Sequence, residues 1–140
     1  MLMSHAAAAL PPDVATRVDA YRRLLQVSIA LNILIALFVL IWPGGFTSLL
    51  NLPDAYPAAW PRLWAALWIG VNLLYIPGAI SPLTTRYPNV LGIVIRLAVA
   101  LLFLLQGGGF LWMALYEAVF GLALLVTYRS ALRANLMSKP

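Results

Sequence analysis

Four polar residues sit where this chain is otherwise apolar, and their types could do chemistry together: Asn32, Asn72, Arg96 and Glu117. An arginine or an acid at the centre of a membrane-crossing helix costs ~2.5 to 3.5 kcal/mol on insertion scales, so such groups face a protein interior and find partners there. Counted outward from Gly107 and Gly108, Arg96 and Glu117 lie at depths differing by only ~3 to 5 Å, which predicts a direct salt bridge between their helices. Asn32 and Asn72 each fall about ten residues from one end of their own runs, near mid-bilayer. One hydrogen-bonded network of all four is therefore expected, because a site without water must satisfy its polar groups internally. Such a cluster either fixes helix register or binds a ligand: a lipid head group, a quinone carbonyl or a transported ion. In the second case Arg96 is the anion or carbonyl ligand, and Glu117 its counter-ion or a proton carrier.

Other chemistry is poorly supplied. With no cysteine, the chain lacks disulfides, thiolate metal sites and a Cys nucleophile. His5 is the sole histidine and lies in an N-terminal tail, which excludes bis-histidine haem and argues against any metal centre. The remaining acids, Asp13, Asp19 and Asp54, form no paired-carboxylate site. Gly107-Gly108-Gly109 lacks the strand context of a phosphate-binding loop. Catalysis is not expected, and neither metal nor nucleic acid is an expected partner.

The elements that must position the cluster follow from hydropathy. At 64% hydrophobic and 9% charged, the chain is too apolar for a soluble domain, where about a quarter of residues are charged. A hydrocarbon core of ~30 Å takes about 20 helical residues, and four runs qualify. They cover 22–42, 62–80, 89–105 and 110–128, with an outer loop over 43–61 and tails over 1–21 and 129–140. The expected fold is an all-α, polytopic, four-helix bundle made of two helical hairpins. Pro43-Gly44-Gly45 stops the first run, Pro77 sits in the last turns of the second, and Gln106 to Gly109 joins the last two tightly. Val14, Val18, Tyr21 and Leu25 recur at helical spacing after Pro12, which suggests that the first helix extends into the tail. The alanine-rich start lacks the basic region of a signal peptide, so no cleavage is expected.

Charge orients the bundle. With both termini inside, Arg17, Arg22, Arg23, Arg86, Arg129, Arg133 and Lys139 are cytoplasmic and only Arg62 lies at the outer edge, as the positive-inside rule requires. The inner cluster is also suited to anionic membrane lipids. Trp42, Trp60, Trp64 and Trp112 then fall at the outer interface and Tyr21, Tyr87 and Tyr128 at the inner one, as anchoring rings do. Eight arginines to one lysine, with abundant alanine, suggest a bacterial inner-membrane protein.

The two halves are similar. LWAALW at Leu63 to Trp68 matches LWMALY at Leu111 to Tyr116, and Asn32 to Phe46 lies over Arg96 to Phe110. In the first of these alignments Ala66 and Gly70 correspond to Ala114 and Ala118, small-residue pairs expected to face into the bundle. The insertion after Phe46 is expected to lie on the membrane surface, as a re-entry loop, a docking surface or a lid.

Four spans in 140 residues, with Arg62 opening the second, Arg96 inside the third and Glu117 inside the fourth, resemble the small bacterial DoxX-like membrane proteins. The resemblance is one of layout, without a diagnostic motif. It implies an accessory membrane subunit, in some cases alongside quinone-linked oxidoreductases. Three functions are consistent with these observations. The leading expectation is a non-catalytic accessory or structural subunit whose partners are membrane lipids and other membrane protein subunits. The others are a small oligomeric transporter or channel, and a lipid- or quinone-binding module, both centred on Arg96 and Glu117. A cavity reaching Arg96 favours the binding module, a continuous polar path the transporter, and a tightly packed core the subunit.

Overall fold

The computed structural model describes residues 10–54 and 56–138, and among these every regular element is helical. In chain order they are α1 (Pro12–Ile41), α2 (Pro43–Leu49), α3 (Ala59–Leu74), α4 (Ile76–Ile80), α5 (Arg86–Gln106) and α6 (Phe110–Met137). Four segments are long and apolar enough to cross a membrane: α1, α3 continued by α4, α5, and α6. Proline marks several boundaries. Pro12 and Pro43 open α1 and α2, where the missing N–H costs nothing. Pro77 withholds the donor that a continuous helix would need, and the crossing breaks at Tyr75 into α3 and α4.

Helix α1 packs between α3 and α6, and α5 lies along α6. Near the end that carries Pro12 and Met137, called here the terminal end, α4 closes against α1 and α5. Between α3 and α5 the ring is otherwise left open. Polarity is inverted relative to a soluble bundle. Leu34, Leu67, Leu102, Leu115, Leu122 and Val126 face outward, whereas Ser28, Asn32, Asn72, Arg96 and Glu117 are buried. That distribution suits a hydrocarbon surround, in which unpaired polar groups must turn inward.

Several expectations change. The first helix does extend into the tail from Pro12, ten residues before the expected span start at 22, and residues 129–137 are not tail but continue α6, because Val14 and Val18 bury against Ala131 and Ala134. The stretch 43–61 is not all loop: α2 occupies its first turns, and the backbone oxygens of Leu50 and Asn51 lie where a Cβ on Gly109 would fall, so only glycine fits at that turn. The third crossing starts at Arg86, three residues before the expected 89. Tyr21 and Tyr128 are not interfacial anchors. Both are buried, their rings 4.9 Å apart, in a core with Leu25, Tyr75 and Ile93, while Tyr87 alone of the three is exposed. Ala66 and Gly70 face outward, because Trp64, Trp68 and Asn72 take the inner face of α3 and a residue two positions on is turned by about 200°. Of their expected counterparts, Ala114 is buried and Ala118 half-buried. His5 and Lys139 lie outside the described residues.

Two arginines cap helix C-termini, where orphan carbonyls and the dipole favour a cation. Arg62 Nε donates to Leu40 O at 3.1 Å, and Arg22 donates to Ala79 O and Ile80 O while pairing with Asp19 at 2.7 Å. The turn after α4 is held by Asn89, whose Nδ2 lies 3.2 to 3.3 Å from the carbonyl oxygens of Gly78, Pro82 and Thr85.

Candidate functional site

All four crossings contribute to one polar centre, and helical phase decides which residues enter it. Ser28 and Asn32 stand one turn apart on α1, as do Trp64, Trp68 and Asn72 on α3, so each set shares a face. On α5, Gly92 and Arg96 are likewise a turn apart; a Cβ at Gly92 would come 3.0 Å from the Tyr75 ring, so glycine makes room for that tyrosine. On α6, Gly121 lies one turn from Glu117. A Cβ there would meet Leu97 Cδ2 at 2.9 Å, and this close approach sets α5 against α6 where the charges lie.

The polar residues form two triads. Arg96 Nη1 donates to Glu117 Oε2 at 2.8 Å and Arg96 Nη2 to Ser28 Oγ at 2.6 Å, joining α5, α6 and α1. Asn32 Nδ2 donates to Asn72 Oδ1 at 2.8 Å, and Tyr116 Oη donates to Asn32 Oδ1 at 2.7 Å, joining α1, α3 and α6. Asn72 is oriented by its own donation to Trp68 O at 2.9 Å. The four sequence-predicted residues thus gather in one region, but as two hydrogen-bonded sets rather than one. The side chains of Arg96 and Glu117 are only 5% and 4% exposed, so the pair is effectively desolvated.

Its hydrogen bonding is nevertheless incomplete. Among the described residues Arg96 Nε donates to no protein acceptor and Glu117 Oε1 accepts from no protein donor, yet no fully buried side-chain nitrogen or oxygen lacks a partner. Neither atom is therefore fully enclosed by protein. A cavity of about 230 Å³ is lined by both residues, together with Asn32, Trp68, Val71 and Tyr75 among others. It fills the gap between α3 and α5, and along α3 it runs from Trp64 to Tyr75, about 16 Å at helical rise. Apolar side chains form most of its wall, with the charges at its floor. A second cavity of about 320 Å³ lies toward the α2 end, among Ile35 and Phe38 of α1, Phe46 and Leu49 of α2, and Trp112 and Met113 of α6. Trp68 and Glu117 line both.

Known family models, curated proteins and solved structures yield no match to this chain. The DoxX-like resemblance rests on the layout of the spans.

An arrangement of this kind can bind. A guanidinium with a free N–H and a carboxylate with a free oxygen offer one donor and one acceptor within an apolar cleft, the usual composition of a small-molecule site. Two partners escaped sequence reasoning. Ser28 is one turn before Asn32 and shares its face, and Tyr116 adjoins Glu117 and stands where Trp68 does in the other half. Both signals were present in the spacing, but a serine and a tyrosine cost too little in a membrane helix to draw notice as buried charges do.

Proposed function

We propose that this chain is a bacterial inner-membrane protein, with both termini cytoplasmic, that binds the polar end of an amphipathic membrane molecule, a lipid or a quinone, between α3 and α5. The single observation behind this reading is the cavity lined by the Arg96–Glu117 pair, two residues that each keep one polar atom unused by the protein. Orientation follows from Arg17, Arg22, Arg23, Arg86, Arg129 and Arg133 at the terminal end against Arg62 at the other. The accessory-subunit reading draws on the DoxX-like layout and on the broad apolar outer faces, and lipid covers those faces equally well.

Trp64 and Trp68 line the cavity and supply the probe. The test uses the full chain with Trp42, Trp60 and Trp112 changed to phenylalanine, titrated with a brominated-chain monoacylglycerol and, separately, with a short-chain quinone. Saturable quenching by at least one of the two is expected, and it should disappear in an Arg96→Met, Glu117→Leu double variant that retains its helical circular dichroism. Non-saturable quenching by both, or saturation unchanged in the folded double variant, refutes the proposal.

A further inference from the structure

The charge balance of the cavity floor restricts what can rest on it. Arg96 is neutralised by Glu117 at 2.8 Å, and among the described residues these are the only two charged ones in the cavity lining. Other cations are occupied away from it: Arg62 on Leu40 O, and Arg22 on Asp19 and the end of α4. An anionic head entering this low-dielectric cleft would find no spare counter-charge. To gain Arg96 it would have to displace Glu117 and leave that carboxylate buried and unpaired, a heavily penalised state. A cationic head faces the converse difficulty. An uncharged head displaces nothing.

The unused atoms add a polarity requirement. Arg96 Nε can only donate and Glu117 Oε1 can only accept. A head that supplies one oxygen acceptor and one hydroxyl donor fills both, whereas a head with acceptors alone leaves Glu117 Oε1 unfilled. We infer that the groove selects an uncharged, hydroxyl-bearing head group on a hydrocarbon body, with its oxygen accepting from Arg96 Nε and its hydroxyl donating to Glu117 Oε1. Glycerol esters with a free hydroxyl and quinols share this chemistry. Ionised fatty acids and phosphatidic acid lack it through charge, and oxidised quinones through the missing donor.

This inference rests on the groove being a ligand site, and the experiment separates the two. The variant retaining Trp64 and Trp68 is loaded with brominated monoacylglycerol and challenged with non-brominated competitors: a monoacylglycerol, an ionised fatty acid and a phosphatidic acid of equal chain length, and one quinone in its reduced and oxidised forms. The uncharged hydroxyl compounds should compete at least ~10-fold better than the anions, and the quinol better than its quinone. A stronger monoacylglycerol assigns the site to a lipid and a stronger quinol to a quinol, both within the proposal. Anions competing equally or better overturn it while leaving a ligand site in place; an absence of saturable quenching by any probe removes the site itself. Glu117→Gln gives an independent check, because it leaves Arg96 without a counter-charge. The folded variant should gain affinity for the ionised fatty acid, and unchanged preference for the uncharged head in it counts against charge balance as the cause.

Discussion

Removing one member of the buried ion pair should cost far more than removing both. In Glu117→Ala, Arg96 keeps only its bond to Ser28 Oγ and becomes an uncompensated charge among α1, α5 and α6. Charges about 4 Å apart attract by ~4 kcal/mol at an effective dielectric of ~20, a reasonable value for so buried a pair. Two independent scales agree with that size: ~3 to 5 kcal/mol for breaking a buried pair from one side, and ~2.5 to 3.5 kcal/mol for an arginine at the centre of a membrane helix. Glu117→Ala and Arg96→Met should therefore each destabilise by ~3 to 5 kcal/mol. Glu117→Gln should lose slightly less, since its amide oxygen can still accept from Nη1. The double change Arg96→Met, Glu117→Leu removes both charges and restores apolar volume, so it should lie within ~1 kcal/mol of the parent. Reversible unfolding of the full chain in mixed micelles, followed by circular dichroism, gives all four values, and the Glu117→Leu single variant closes the cycle that yields the coupling energy. Single variants within ~1 kcal/mol of the parent, or a double variant as costly as the sum of the singles, would refute the view that the pair is desolvated and mutually compensating.

Three further outcomes follow from the same geometry. Tyr116→Phe strips the donor from Asn32 Oδ1 and should cost ~1 kcal/mol in the unfolding assay, whereas Tyr87→Phe at an exposed ring should be neutral. Gly109→Ala places a methyl on the backbone oxygens of Leu50 and Asn51 and should destabilise by ~1 to 3 kcal/mol; Gly44→Ala, whose Cβ meets nothing within 4 Å, is the matched control. In the cysteine-free parent, single cysteines replacing Ser138 and Ser48 should react with membrane-impermeant maleimide from opposite sides in intact cells, only Ser48→Cys being labelled before lysis. Labelling of Ser138→Cys in intact cells would reverse the orientation.

Much of this architecture could be read from local sequence, because each signal is local in its physics. Runs such as Leu24 to Trp42 and Phe110 to Tyr128 must be helical in lipid whatever their neighbours, and Pro43-Gly44-Gly45 and Gly107 to Gly109 end helices by backbone geometry alone. The pairing of Arg96 with Glu117 belongs here too, since a short turn places the two residues at nearly equal depth and an isolated charge there is prohibitive. Helix lengths were less legible. Hydropathy sees a span end where polar residues begin; the spacing of Val14 and Val18 showed the extension of α1, but nothing local marked 129–137 as helix, where Ala131 and Ala134 pack on those valines.

What sequence alone determined is therefore the set of four apolar crossings, the positions of the buried charges and the asymmetry of arginine between the two ends. Tertiary structure decided how the helices turn about their axes and which pairs touch. That rotation sends Trp64 and Trp68 inward and Ala66 and Gly70 outward, makes a buried pair of Tyr21 and Tyr128, and adds Ser28 and Tyr116 to the polar centre. It also leaves α3 and α5 apart, so that Arg96 and Glu117 open on a cavity instead of a packed seam. Such features depend on the relative placement of side chains from four separate segments. Hydropathy, which treats each helix in isolation, is blind to them.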